Sequence, residues 1–418
     1  MTVVAKPGGT SVAATGPAPA ETSTPTTALL ASLVVVVVGL DVHLPLGTSA
    51  ALLLAVLLLP LWLPVLPAYR LATLVCALSA LCVVSGLVLA ELSAVDHAVD
   101  RIRGLQSIGL LASGVAALVL ILWARTELPL HRVVLLYGAG AVAGALVHGD
   151  YRWKFTLAMP VALIVLALLE RTRTWVIPVV ALLGIGILSV ADEGRSLFGA
   201  SVLVATLATW QHRPRSSGRR VWRWFPLVAL AGVAVAVYVF ATALATGGEL
   251  GEAVRETSTR QVRSDGSLIT GGRPEWAATR ELVRLKPAGY GVGVVPDWTD
   301  RMTGKAGLAS IGVDVDPFRE QYMFGAQLEL HSIAADLWAG YGWAGVALAA
   351  VVTFALVRSL SFALAGGQAP TYVLFAGVMA LWYMLFGPIG SNWLDVCAAL
   401  GFALVAADPP GSARVAAA

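Results

Sequence analysis

The chain has 418 residues, of which 58% are hydrophobic and only 13% charged, with a net charge of +3 and a mean hydropathy of +0.80. Soluble domains carry about 25% charged residues, so a soluble globular fold is excluded, and continuous rather than alternating apolar runs exclude a β-barrel. The composition points to an all-α, polytopic membrane helix bundle, and so weak a charge bias gives no sign of a nucleic-acid partner.

Residues 1–27, rich in Ala, Thr, Pro and Gly, read as a disordered cytoplasmic tail. Crossing a bilayer takes roughly 20 residues of helix. On that basis the apolar runs give about twelve spans, at 28–42, 48–66, 71–90, 105–124, 133–147, 155–170, 174–191, 197–211, 225–246, 332–357, 369–388 and 392–407. The first nine form an N-terminal bundle over 28–246, the last three a C-terminal group over 332–407, and 408–418 is a second cytoplasmic tail. Cys76, Cys82 and Cys397 all fall in apolar runs without CxxC spacing, which suits buried thiols rather than a disulfide or a metal site.

Between the two groups lies one long polar segment, 247–331, holding ten of the 28 Lys and Arg residues and twelve of the 25 Asp and Glu residues. With the N-terminus inside, thirteen Lys and Arg fall in inside segments and five in the short outside loops. The excess of basic residues marks the cytoplasmic side. Both termini are therefore expected in the cytoplasm, and the long loop outside a cytoplasmic membrane. The run Arg213 to Arg223 is the strongest inside anchor, either as a plain basic loop or as a binder of anionic headgroups.

The loop and its borders hold the residues suited to chemistry. Arg195 stands where a span exits on the loop's side, beside Asp192 and Glu193; it either pairs there or meets an anion. Pro274 suits the start of a helix that Pro287 stops. At about 100° per residue, Arg273, Arg280 and Arg284 fall on one sector of that helix. They form either a phosphate-recognising stripe or a solvated face paired with Glu275 and Glu281. Gly289, Gly291 and Gly293 form a tight turn or an anion-binding nest. Tyr290, Trp298, Tyr322 and Phe324 either stack on sugars or lie on the membrane surface. Of the outside histidines, only His331 sits where the loop enters a span, where an imidazole can take a proton from a hydroxyl. No HExxH or multi-His spacing suggests a metal.

These segments resemble the O-antigen ligase and polymerase family of membrane glycosyltransferases. The first part of the likeness is Gly272-Arg273-Pro-Glu-Trp276 through Pro287-Ala-Gly-Tyr-Gly291-Val-Gly293. The second is His331 heading a span with Gly342 and Gly345, and the third is Gly194-Arg195-Ser196. The likeness covers roughly 185–360, and Ser332 replaces the family's usual Asn.

The resemblance implies a metal-independent transfer, without cofactor, of a glycan from a polyprenyl diphosphate to a hydroxyl acceptor on a glycan, lipid or protein. Arg195 and Arg273 would hold the diphosphate and His331 would take or orient the acceptor's proton. Arg280, Arg284, Trp276 and Ser332 would bind substrate. The lipid tail would lie between spans, and the three catalytic side chains would converge on one cavity. The competing readings are a transporter of a small anion or solute and a non-catalytic scaffold. A transporter needs charge within its spans; the spans here read as nearly free of it apart from Asp395.

Overall fold

The computed structural model describes residues 24–212 and 274–406, apart from 171, 173, 193, 314, 316 and 368. Every regular element among them is helical, with two isolated bridges. Helices α1 to α9 cover Pro25–Leu40, Ala50–Leu57, Leu59–Trp62, Arg70–Ser93, Arg101–Glu127, Leu130–Val147, Ala158–Leu169, Val176–Ala191 and Arg195–Gln211. Helices α10 to α12, in the loop, cover Glu275–Leu285, Trp298–Ala309 and Pro317–Phe324. Helices α13 to α15 cover Ile333–Gly366, Thr371–Phe386 and Ile389–Ala403.

Each expected span except 225–246, which lies outside the described residues, is helical. Among the described residues, four helices (α4, α5, α6 and α13) are long and apolar enough to cross a membrane, and a fifth crossing arises if α2 and the stretch after it count as one. That pair is bent by 71° at Leu58 rather than forming one straight span over 48–66. Pro60, in the first turn of α3, has no amide proton to give back to the preceding turn. The bend leaves an apolar groove of about 290 Å³ between Leu52, Ala55 and Trp62 on one side and α4 and α5 on the other.

Packing is closest where side chains are smallest. Helix α1 lies on α6 with Gly140 and Gly144 against the carbonyls of Val36 and Leu40, where any Cβ would collide. In a bilayer such small-residue contacts take the place of hydrophobic driving force. Helix α5 runs through the middle, burying Leu118 and Ile121 against Gly401 of α15, whose Trp393 Nε1 donates to the Leu111 carbonyl at 3.1 Å.

Polar contacts gather at two opposite ends of the bundle. At one end, Tyr372 donates to Glu170 at 3.0 Å, and Gln211 and Ala369 exchange two hydrogen bonds of 3.1 Å. Arg125, 7% exposed, gives Nη1 to the carbonyls of Gly401 and Leu404 at 2.6 and 2.7 Å, closing the C-terminus of α15. Arg125→Leu strands both carbonyls, and we expect a loss of about 1–3 kcal/mol, read as a lower thermal midpoint in detergent.

At the other end sits the described part of the loop. The segment 287–295 threads across the bundle as an extended strap. Tyr290 N and Gly291 N donate to Ala339 O, Val292 N to Gly86 O and Val295 N to Ala98 O, while Asp100 N donates to Gly293 O at 2.8 Å. The strap thus joins α4, the α4–α5 turn and the first turns of α13. Of the two readings of Gly289 to Gly293, the tight turn stands and the anion nest does not: Gly289 N closes a turn on Lys286 O at 3.0 Å, and the glycines let the backbone lie flush on other helices. Gly291 (φ 107°) faces the backbone of Leu89 and Ala90, and Gly293 (φ 74°) that of Asp100 and Gly104. Their neighbouring amides are spent on helix carbonyls, not held for an anion.

Candidate functional site

His331 ends the loop in a left-handed backbone conformation, φ 52°, one of three non-glycine residues with positive φ among those described. Such a conformation costs of order 1–3 kcal/mol and persists only where the surroundings impose it. Here they do. On one side, Leu330 N donates to Asp336 Oδ1 at 2.7 Å. On the other, Ser332, 1% exposed, caps α13 by accepting from Ala335 N and donates its hydroxyl to Met384 O at 3.1 Å. Asp336 Oδ2 accepts from Ile389 N at 2.9 Å, so one carboxylate ties the His331 turn to the start of α15. Helix α13 then breaks at Gly342 (φ 59°), where a Cβ would strike Ala288 O, so its first nine residues form a separate short helix under the strap.

Above this turn lies a cavity of about 390 Å³. Its floor and walls come from the strap at Tyr290 to Val294, from Gln327, Glu329 and His331 at the end of the loop, from Asp336 and Tyr341 on α13, and from Ser391 on α15. Small-molecule pockets run from roughly 300 to 1,000 Å³. On the far side of His331 stands Tyr322, its ring edge-on to the imidazole at 4.9 Å. The Tyr322 hydroxyl donates to Glu275 Oε1 at 3.2 Å, and Glu275, 8% exposed, opens α10.

The other expected site residues are placed as follows. Arg273 lies outside the described residues. Trp276 donates Nε1 to Leu385 O at 3.0 Å, which sets the start of α10 at the end of α14. Helix α9 also packs along α14, and Arg195 is its exposed first residue. Trp276 and Ser332 therefore meet the end of α14 at the neighbouring carbonyls of Leu385 and Met384, while Arg195 is not among the residues lining the cavity.

Arg280 and Arg284 are 59% and 65% exposed, and both bond Glu281, at 3.0 and 2.8 Å. Those bonds, Arg284's first, hold the Glu281 carboxyl below its ordinary range. The paired, solvated face describes these two arginines. The spans also hold more acid than the sequence reading allowed: Asp336 lies within the expected 332–357 segment. A single carboxylate vanishes in a window average, yet an acid inside an apolar run is itself a signal of function.

A second polar cluster fixes the strap's outer edge. His97, its side chain 6% exposed, meets Asp96 Oδ1 at 2.7 Å through Nδ1 and Asp300 Oδ2 at 2.9 Å through Nε2. Asp300 also accepts from the Tyr290 hydroxyl at 3.0 Å and forms a reciprocal cap on α11 with Asp297. Lys286 reaches Ser93 at 3.0 Å and stands 3.5 Å from the His97 ring. One atom each of His97, Asp297 and Asp300 lies within 4.8 Å of the others, a metal-like grouping. His97 Nε2 already bonds Asp300 Oδ2, Asp297 Oδ1 accepts from Asp300 N, Tyr290 takes Asp300 Oδ1 and an ammonium faces the ring, so the cluster works as a latch.

Burial pulls the His97 pKa down, but the hydrogen bonds to Asp96 and Asp300 outweigh it, and the net shift is upward. Only the protonated ring donates to both carboxylates. The stabilisation is therefore complete below the ordinary imidazole value of about 6.5 and is lost as pH rises through the raised folded value. We expect the protection of amides 290–300, taken relative to intrinsic base-catalysed exchange, to fall as pH rises through the raised imidazole value in the native chain and to lose that fall in His97→Gln.

No protein-family model, curated protein or solved structure matches the chain.

Proposed function

We propose that the chain is a membrane glycosyltransferase, moving a glycan from a polyprenyl diphosphate to a hydroxyl acceptor at the outer face of the cytoplasmic membrane through about twelve spans. The observation that carries this reading is His331: an imidazole held in a strained turn, on the wall of a cavity at the seam between loop and bundle. The acceptor oxygen bonds the donor's anomeric carbon and passes its proton to His331. The anomeric carbon–oxygen bond breaks, and its electron pair leaves on the diphosphate. Arg195 and Arg273 are the groups assigned to that growing charge.

An amphiphilic donor needs a polar site beside an apolar one. Helix α5 turns Ser107 and Leu110 toward the cavity, and Leu111, Ala112 and Val115 toward the apolar groove. The two sites thus adjoin along a few turns of one helix.

The test is genetic. In a deletion strain, complementation by the native chain restores a surface glycan or glycoconjugate, whereas Arg195→Ala, Arg273→Ala and His331→Ala each fail at equal membrane abundance. Glycan output that survives all three substitutions removes the reading and leaves a scaffold or a transporter.

A further inference from the structure

The cavity wall has a charge pattern of its own. Its described lining includes two carboxylates, Glu329 and Asp336, the His331 imidazole, the Gln327 amide and the Ser391 hydroxyl, and no Lys or Arg. Asp336 is occupied on both oxygens by Leu330 N and Ile389 N, so it holds the turn and is not open to a ligand. Glu329, Gln327 and Ser391 make no side-chain hydrogen bond or ion pair among the described residues. A carboxylate, an amide and a hydroxyl facing one small cavity match the mixed donors and acceptors of a sugar ring. A phosphate or a uronate there would meet the Glu329 carboxylate without a described cation in the lining to offset it.

We propose that this cavity is the acceptor-sugar subsite, and that Glu329 selects a neutral or amino sugar against an acidic one. The proposal rests on the transferase reading and sharpens it. It places the diphosphate outside the cavity, on the far side of Tyr322, toward the start of α10. The sugar hydroxyl that reacts lies against His331, and Glu329 accepts a hydrogen bond from a second hydroxyl or an ammonium of the same ring. Glu329 acts here as a specificity residue and takes no part in proton transfer.

Saturation-transfer NMR on the purified full-length chain in micelles tests this. The probes are methyl glycosides of the common hexoses, of their 2-amino forms and of their uronic acids, with inorganic pyrophosphate as competitor. A neutral or amino glycoside should bind at millimolar concentration, and pyrophosphate should not displace it. Glu329→Gln, which keeps the side chain's shape, should weaken that glycoside about tenfold, the weight of one charge-assisted hydrogen bond. Glu329→Lys should admit a uronide.

The proposal is overturned if no neutral or amino glycoside binds, if a uronide or pyrophosphate displaces one from the native chain, or if Glu329→Gln binds as tightly as the native protein. The two readings fail separately. Sugar binding with the expected pattern, alongside a His331→Ala chain that still makes glycan, overturns the transferase and leaves the cavity. Loss of glycan in His331→Ala with no sugar selectivity at Glu329 does the reverse.

Discussion

His331→Ala is expected to lower glycan transfer by about 10²–10⁴-fold, the usual weight of a positioned general base, while leaving the fold intact. The imidazole sits at the end of the loop rather than in the bundle core, and the turn beneath it is held by other groups: Asp336 through Leu330 N and Ile389 N, and Ser332 through Met384 O. On the proposed reading, removing the ring removes chemistry without removing the scaffold. His331→Gln keeps polarity but cannot take up a proton near neutral pH, and should be about as inactive as alanine. His331→Gly is a useful third variant, because glycine relieves the positive φ of 52°. It should match alanine in activity and exceed it in thermal midpoint, separating strain from catalysis. Initial rates and melting curves on the same detergent preparations check all three.

Gly291→Ala is expected to be the most disruptive small substitution in the described loop. Its φ of 107° is poorly accessible to alanine, and the added Cβ would meet Ala90 N and the Leu89 carbonyl carbon. A left-handed penalty of about 1–3 kcal/mol adds to an overpacking cost of about 1–3 kcal/mol, and the obstacle is helix backbone that cannot swing aside. We expect the strap to lift from α4, opening the cavity and exposing 287–295 to protease. Gly340 gives the control. It sits beneath the same strap, but the nearest atom to its added Cβ, Val292 Cγ1, is 4.0 Å away, an ordinary contact. Gly340→Ala should melt and digest like the native chain.

Much of the fold was legible because apolar runs map directly onto helices. Pro274 and Pro287 likewise bracket α10, which covers Glu275–Leu285. The bend at Leu58 had a signal in Pro60, but a window long enough to detect a span averages over a single proline. The role of Gly289 to Gly293 was hidden for another reason. Alternate glycines announce an unusual backbone path, but the surfaces they lie on, at Ala90, Gly104 and Gly342, come from distant parts of the chain.

The candidate site was legible in part. His331 stood out as a polar residue at the mouth of a span. Asp336, five residues on, did not, because its role depends on Ile389, which is remote in sequence and adjacent in space. Helical periodicity placed Arg280 and Arg284 on one face correctly, but Glu281 bonds both, and the charge available to a ligand is smaller than the stripe suggested.

The most direct measurement is transfer by the purified chain in proteoliposomes, supplied with lipid-linked glycan extracted from cells lacking it, with no other protein present. The account predicts release of polyprenyl diphosphate together with a lengthened or newly attached glycan, and neither product with His331→Ala. Release by the His331→Ala chain at the native rate, or no release by a native chain that is folded and correctly oriented, would contradict it.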